Sequence, residues 1–281
     1  MKMFKDSVGN TIKVSITTDM FNYSFKPEME RKLQLFSDYG FEYIHWCDDW
    51  NNNVIYTQRD IKRYRQLIGT VGLECLDVHG AATSDIRIDT EDESLLERYV
   101  RLLENRIKFC SVVGGDAVVI HPPSVDDGGV AARQRLNRSL HVFERVRPLC
   151  EDLGVVLAIE NCFPGDEEAL TFYFEKYPPE FAGYCFDSGH AHVNGNFDRL
   201  LKFGERLKAL HLHDNKGEND DHQPPFWGTI DWRRVLRWIK DNRYEKPINF
   251  EITHKPQFFS GDMHGYLKYS VDAIKKLVNL I

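Results

Sequence analysis

The chain has 281 residues, a formal net charge of −7 and 42% hydrophobic residues. That apolar fraction excludes disorder as the main state, and no apolar run approaches the ~20 residues needed to span a bilayer. The length suits one (β/α)8 barrel of about 250 residues, or two small domains.

The first ten residues, MKMFKDSVGN, carry charge but no apolar stretch, so they predict no secretory signal. Eight strand candidates follow: 11–17, 41–46, 73–79, 116–121, 155–161, 182–187, 208–214 and 248–253. Between them lie helix-length stretches with apolar residues at i, i+3 and i+4, such as Leu95, Leu96, Tyr99, Leu102, Leu103 and Ile107. A second, Leu136 to Val146, runs into Pro148, which predicts a kink or a boundary there. Gly40, Gly72, Gly114 and Gly154 punctuate helix ends before the next strand. No linker or composition break divides the chain. The alternation predicts an α/β fold, a single (β/α)8 TIM barrel over 1–281. An open doubly wound sheet is disfavoured because no Gly-rich phosphate loop follows the first strand. Six cysteines without a CxxC pair read as reduced thiols, and with the missing signal they place the protein in the cytoplasm.

The unusual residues fall at strand ends: His79, His121, Glu160, Asp187, His211 and Glu251. Alternation along a strand sends successive side chains to opposite faces. In VVLAIE, Glu160 shares a face with Val156 and Ala158. In INFEI, Asn249 and Glu251 oppose Ile248, Phe250 and Ile252, and in ALHLHD His211 and His213 oppose Leu210 and Leu212. The same parity turns all six toward the axis at the C-terminal mouth, where barrel active sites lie. Desolvating unpaired carboxylates costs several kcal/mol each, so three carboxylates and three imidazoles on one rim point to a divalent cation. His190 follows Asp187 in DSGH. Asp220 and His222 sit in a long loop after strand seven, with Asp221 as a neighbouring decoy. Mixed carboxylate and imidazole donors suit Zn, Mn, Fe or Co rather than Ca or Mg alone.

The motifs VVIHPPS, LAIEN, FDSGH, LHLHDNKGENDDH followed by GTIDW, and INFEIT together resemble the xylose-isomerase-like TIM-barrel superfamily. That superfamily includes sugar phosphate isomerases and epimerases and the AP endonuclease IV branch. The resemblance implies one divalent metal, Zn or Mn, held by Glu160, Asp187, His211 and Glu251 in the sugar branch. The endonuclease branch carries up to three zincs and implies further ligands at His79, His121, His190, Asp220 and His222. All nine positions are filled here. The family pattern sets its His three residues before the Asp of HLHD, which selects His211 over His213.

By the same resemblance Glu160 and Glu251 shuttle a proton beside a carbonyl through an enediolate, with His190 touching a substrate oxygen. The alternatives are a zinc phosphodiesterase acting on abasic DNA and a dehydratase of a cyclic polyol or keto-acid. The repair branch places an aromatic wedge three residues beyond the third strand's His. Here that residue is Ala82, and the acidic loop CDDWNNN would repel phosphate. A carbohydrate substrate is therefore expected, with no nucleic acid or membrane partner, and the oligomeric state stays open. Trp46, Trp227 and Lys216 are read as substrate contacts, with Trp50, Phe163, His254 and Lys255 as further mouth residues. Gly228 is read as a point of close backbone approach, and Asp77 as a partner orienting an imidazole.

Overall fold

A computed structural model describes residues 4–280 of the chain. Eight parallel strands form one sheet: β1 (Val14–Thr17), β2 (Tyr43–Trp46), β3 (Glu74–His79), β4 (Ala117–Ile120), β5 (Val156–Glu160), β6 (Ala182–Asp187), β7 (Leu207–His211) and β8 (Ile248–Phe250). Their order is β7-β6-β5-β4-β3-β2-β1-β8. A parallel bridge between Leu212 and Phe250 joins the two ends. Leu212 N–H donates to Asn249 O and Glu251 N–H to Leu212 O, both at 3.1 Å, so the barrel closes. All eight expected strands are present, several with shorter limits than the apolar runs suggested.

Helices α1 (Met29–Asp38), α2 (Gln58–Thr70), α3 (Glu93–Val113), α4 (Gly129–Leu153) and α5 (Asp166–Lys176) follow the first five strands. The short α6 (Ser188–Val193) and α7 (Phe197–Leu200) follow β6, α8 (Trp232–Asp241) follows β7, and α9 (Met263–Val278) follows β8. Helix α4 passes through Pro148 without the expected boundary. Pro148 and Glu144 are both exposed, so the carbonyl deprived of its N–H partner faces water, where the loss is mild. Gly114 and Gly154 take the left-handed conformation at the ends of α3 and α4, as their positions predicted. No helix among the described residues is long and apolar enough to cross a membrane.

Alternation divides the strands between two environments. Ile16, Ile44, Val78, Val118, Leu157, Ile159, Phe186 and Leu210 pack outward against the helices. Inside, Ala117, Val119, Ala158, Cys185 and Ala209 form a separate small cluster on the β4–β7 side. The β8–β3 side is instead polar, with buried Ser15, His45, Asp77 and Asn249. The small residues let one half of the barrel pack tightly. The other half holds hydrogen-bonding groups below the mouth.

Two ties fix the loops above. The Lys32 ammonium on α1, almost fully buried, donates to Asn22 Oδ1 (2.8 Å) and Asp48 Oδ1 (3.0 Å), joining the β1–α1 loop to the β2–α2 loop. Thr18 Oγ1 also accepts from the Cys47 and Asp48 N–H groups. In the long loop after β7, the buried Asp214 carboxylate accepts from the N–H groups of Asn215, Phe226 and Ile230 and from Trp232 Nε1. That fold brings Gly228 so close that a Cβ would lie 1.9 Å from Asn215 O. Gly228→Ala is therefore expected to cost about 1–3 kcal/mol by overpacking. Urea unfolding would read this as a lower midpoint at unchanged slope, and an unchanged midpoint would show that the loop yields freely.

Candidate metal centre

The C-terminal mouth holds a cavity of about 320 Å3, walled by Tyr23, Trp50 and Lys255 and floored by imidazoles and carboxylates. Strand ends supply the floor. His79, Glu160, Asp187 and His211 close β3, β5, β6 and β7, while His121 and Glu251 lie one residue past β4 and β8. His190 comes from α6, Asp220 and His222 from the β7–α8 loop. Seven of these nine face the cavity. Asp187 and His211 are completely buried behind it.

Backbone carbonyls set the orientation of three of the rings. His79 Nδ1 lies 2.8 Å from Gly80 O, His190 Nδ1 3.0 Å from Asn161 O, and His222 Nδ1 3.0 Å from Glu251 O. A carbonyl only accepts, so in each case Nδ1 carries the proton and Nε2 is left to face the cavity as a donor of its lone pair. That arrangement is the usual one for a histidine that holds a metal. His211 is turned the other way: its Nδ1 faces carboxylates and its Nε2 is buried without a hydrogen-bond partner.

Eight of the nine side chains fall into three groups, the first two of which share Glu160, and Asp187 stands apart. Glu160 Oε2 stands 3.2 Å from His121 Nε2 and 3.6 Å from His79 Nε2, yet neither approach has hydrogen-bond alignment and the oxygen is buried and unpaired. Donors about 2.1 Å from a tetrahedral ion are ~3.4 Å apart, which those separations bracket. A divalent cation fits this arrangement of unpaired donors. In the second group His211 Nδ1 is 3.1 Å from Glu160 Oε1 and 3.1 Å from Glu251 Oε2. In the third, Asp220 Oδ2 is 2.8 Å from His222 Nε2 and 3.3 Å from His190 Nε2. Asp187 already has partners: Oδ1 accepts from the His190 N–H as the cap of α6, and Oδ2 lies 3.0 Å from His213 Nε2.

Electrostatics follow from this crowding. Burial alone would raise the Glu160 and Glu251 carboxyls, but His211 and its neighbouring imidazoles outweigh it and hold both well below the usual carboxylate range. Burial likewise opposes charge on the rings. At His211 it is outweighed by Cys185, Glu251 and Glu160, at His190 by Asp187 and Asp220, and at His222 by Asp220 and Glu251. His190 and His211 are pushed well above the ordinary imidazole value, and His222 up to about 10. His121 shifts downward because burial dominates there. Asp19, missed in the sequence, is a buried carboxyl on the cavity wall, raised by burial and by Glu251.

Three expected substrate contacts lie elsewhere. Trp46 is 1% exposed and packs outward among Tyr56, Tyr64 and Phe109, with Nε1 donating to Tyr56 Oη at 3.0 Å. Its strand parity sends it to the helix layer, and Trp50 takes the wall, 5.4 Å from the His79 ring. Lys216 and Trp227 stack on each other, Nζ 4.6 Å from the ring, and neither borders this cavity. Phe163 faces a neighbouring cleft that shares His121, whereas Lys255 reaches the mouth and donates to Asp220 O at 2.9 Å. His254 is buried against Phe259 O rather than set at the mouth. His213 stacks on His222 with ring centroids 3.9 Å apart, and Asp77 holds His45 rather than His79, at 2.5 Å. His45 was legible only as the inward residue of β2.

The family model described as "Xylose isomerase-like TIM barrel" matches residues 33–277. The curated relative y4fM of Sinorhizobium fredii, an uncharacterized protein, is 29% identical over 253 residues, covering 79% of this chain and 80% of its own. A probable endonuclease 4 of Mycoplasma pneumoniae is 25% identical over 190 residues, covering 59% and 62%. Among solved structures, a D-tagatose 3-epimerase-like protein superposes with TM-score 0.74 at 21% identity, covering 95% of this chain and 98% of its own. An IOLI protein with a zinc atom gives TM-score 0.74 at 17% identity, with the same coverages. At these identities the structural likeness is one of fold.

The raised histidines give the cage a proton cost for any cation. Rings protonated in the metal-free protein must lose those protons to become ligands. Zinc titrated into metal-free protein is therefore expected to release protons, with affinity falling as pH drops below about 10, where His222 begins to take up its proton. Calorimetry in buffers of different ionisation enthalpy measures the release. A pH-independent affinity would mean that these rings are not the ligands.

Proposed function

Starting from a chain that belongs to the xylose isomerase-like TIM barrel family, we propose a divalent-metal-dependent isomerase or epimerase of a sugar or sugar phosphate. The observation that carries this reading is the bracketing of one imidazole by two glutamates, His211 Nδ1 at 3.1 Å from both Glu160 and Glu251. Glu160, Asp187, His211 and Glu251 would hold the metal, and the donor set suits Zn or Mn. When bound, such a cation polarises a carbonyl and offsets the negative charge that grows on its oxygen.

The chain's own residues supply the rest. Glu160 and Glu251 flank the same imidazole and both border the cavity, so either is placed to accept a proton from the carbon beside the carbonyl. Return of that proton to the opposite face of the same carbon epimerises the sugar, and return to the adjacent carbon isomerises it. His190, its Nδ1–H fixed on Asn161 O, presents Nε2 to a substrate oxygen. Trp50 and Tyr23 supply aromatic walls that exclude water and pack against a sugar ring. Similarity to a D-tagatose 3-epimerase-like protein and to a zinc-containing barrel supports this reading.

A second reading rests on the His190–Asp220–His222 group, which a one-metal sugar enzyme leaves without a metal role. With the groups at His121 and His211 it would complete a three-zinc phosphodiesterase, in line with the endonuclease 4 relative. Against it stand Ala82 and the carboxylates Asp48 and Asp49 beside the mouth.

One metal-loaded preparation separates the two. On the sugar reading it exchanges solvent deuterium into a ketose, and Glu251→Gln slows exchange by about 10²–10⁴-fold with the barrel's circular dichroism unchanged. On the other it nicks a duplex with an abasic site, and Asp220→Ala stops the nicking. Nicking without exchange overturns the sugar proposal.

A further inference from the structure

His79, His190 and His222 each rest their outward nitrogen on a main-chain carbonyl, but His211 has no such anchor. Its Nδ1 faces Glu160 and Glu251, so Nε2 is the nitrogen that needs an outer partner, and it is buried and unpaired. A buried N–H without an acceptor loses its hydration at a cost of about 1–3 kcal/mol. Against this ring lies His45, with centroids 4.6 Å apart at 61°. His45 is completely buried, its Nδ1 lies 2.5 Å from Asp77 Oδ1, and its own Nε2 is unpaired too. One ligand atom each from His45, His211 and Glu251 falls within 4.8 Å of the others.

The tautomers then follow in sequence. Asp77 Oδ1 lies 2.5 Å from His45 Nδ1, and its other oxygen is buried with no partner. With the carboxylate oxygen as the acceptor of that short contact, His45 carries its proton on Nδ1 and exposes the Nε2 lone pair. His211, with Nδ1 committed to the cage, carries its proton on Nε2. Cys185, a further polar neighbour of His211, offers only a thiol, a weak acceptor.

We propose that Asp77 and His45 form the outer support of His211, His45 Nε2 accepting from His211 Nε2–H through one bridging water. The relay runs Asp77–His45–His211 into the centre. Both members are positioning residues: they fix the tautomer and orientation of His211 and increase its electron donation to whatever Nδ1 holds. This rests on the metal reading above, and it adds a pair of strand residues that the nine-residue set does not contain.

The test has two arms. Long-range ¹⁵N–¹H spectra of metal-free protein report the tautomer of each ring. His45 as the Nδ1–H form supports the relay, and His45 as the Nε2–H form overturns it, whatever the protein's activity. In the second arm zinc affinity is measured by competition with a chelator. Loss of an outer partner typically weakens a site about 10–100-fold, so His45→Leu should lose that much. His45→Gln, which keeps an acceptor oxygen, should recover part of it, and Cys185→Ala should stay near wild type. Zinc binding unchanged in folded His45→Leu overturns the proposal. Wild-type protein that binds no divalent metal overturns the metal reading, and the tautomers then decide the relay on their own.

Discussion

Negative charge kept out of water inside a closed barrel is the constraint from which the rest follows. Glu160, Asp187 and Asp77 are at most 1% exposed, and Glu251 is 5% exposed. An ionised carboxylate in such a place costs several kcal/mol unless it is paired. The chain answers with histidines rather than lysines or arginines. Imidazoles are short enough to stay on the strand ends, and they exchange a proton for a metal without moving. The distribution of residues below the rim has the same origin. Polar Ser15, His45 and Asn249 occupy the half under Glu251, while alanines and Cys185 occupy the half under Glu160 and His211.

The barrel was legible because strand alternation is strict and the glycine punctuation regular. Six of the nine mouth residues were legible for the same reason: each stands at or just after a strand end, where parity fixes its direction. His190 follows from its spacing to Asp187, and Asp220 and His222 from their place in a long loop at the mouth. Parity held even where β8 proved only three residues long, since the bond from the Glu251 N–H to Leu212 O extends its direction past the last ladder pair. Trp46 is close to the mouth along the chain, but its parity directs it away from the axis. The rule that turns Glu160 inward turns Trp46 outward with Ile44, and turns His45 in. Lys216 and Trp227 lie on an irregular loop, where no period indicates direction. Their stacking depends on the Asp214 hub, a tertiary arrangement that spacing does not encode.

Partner choice within the cluster was the least legible layer. Parity turned Asp77 and His213 inward, and both are buried there. Which imidazole Asp77 touches is set by the register of β2 on β3, where a shift between Ile44 and His45 brings His45 opposite Asp77. One irregular step in a ladder thus decides that the carboxylate supports His45 instead of His79. His213 is similar: it reaches Asp187 because Gly189 has no Cβ, which would stand 1.9 Å from the His213 ring.

The buried Lys32 ammonium ties Asn22 to Asp48, and these residues adjoin the two aromatic walls, Tyr23 and Trp50. A buried cation cannot release one of its two oxygens without leaving part of its charge unpaired, so drawing the loops apart carries that cost. The two aromatic walls are thus braced from behind by a helix residue that does not itself border the cavity.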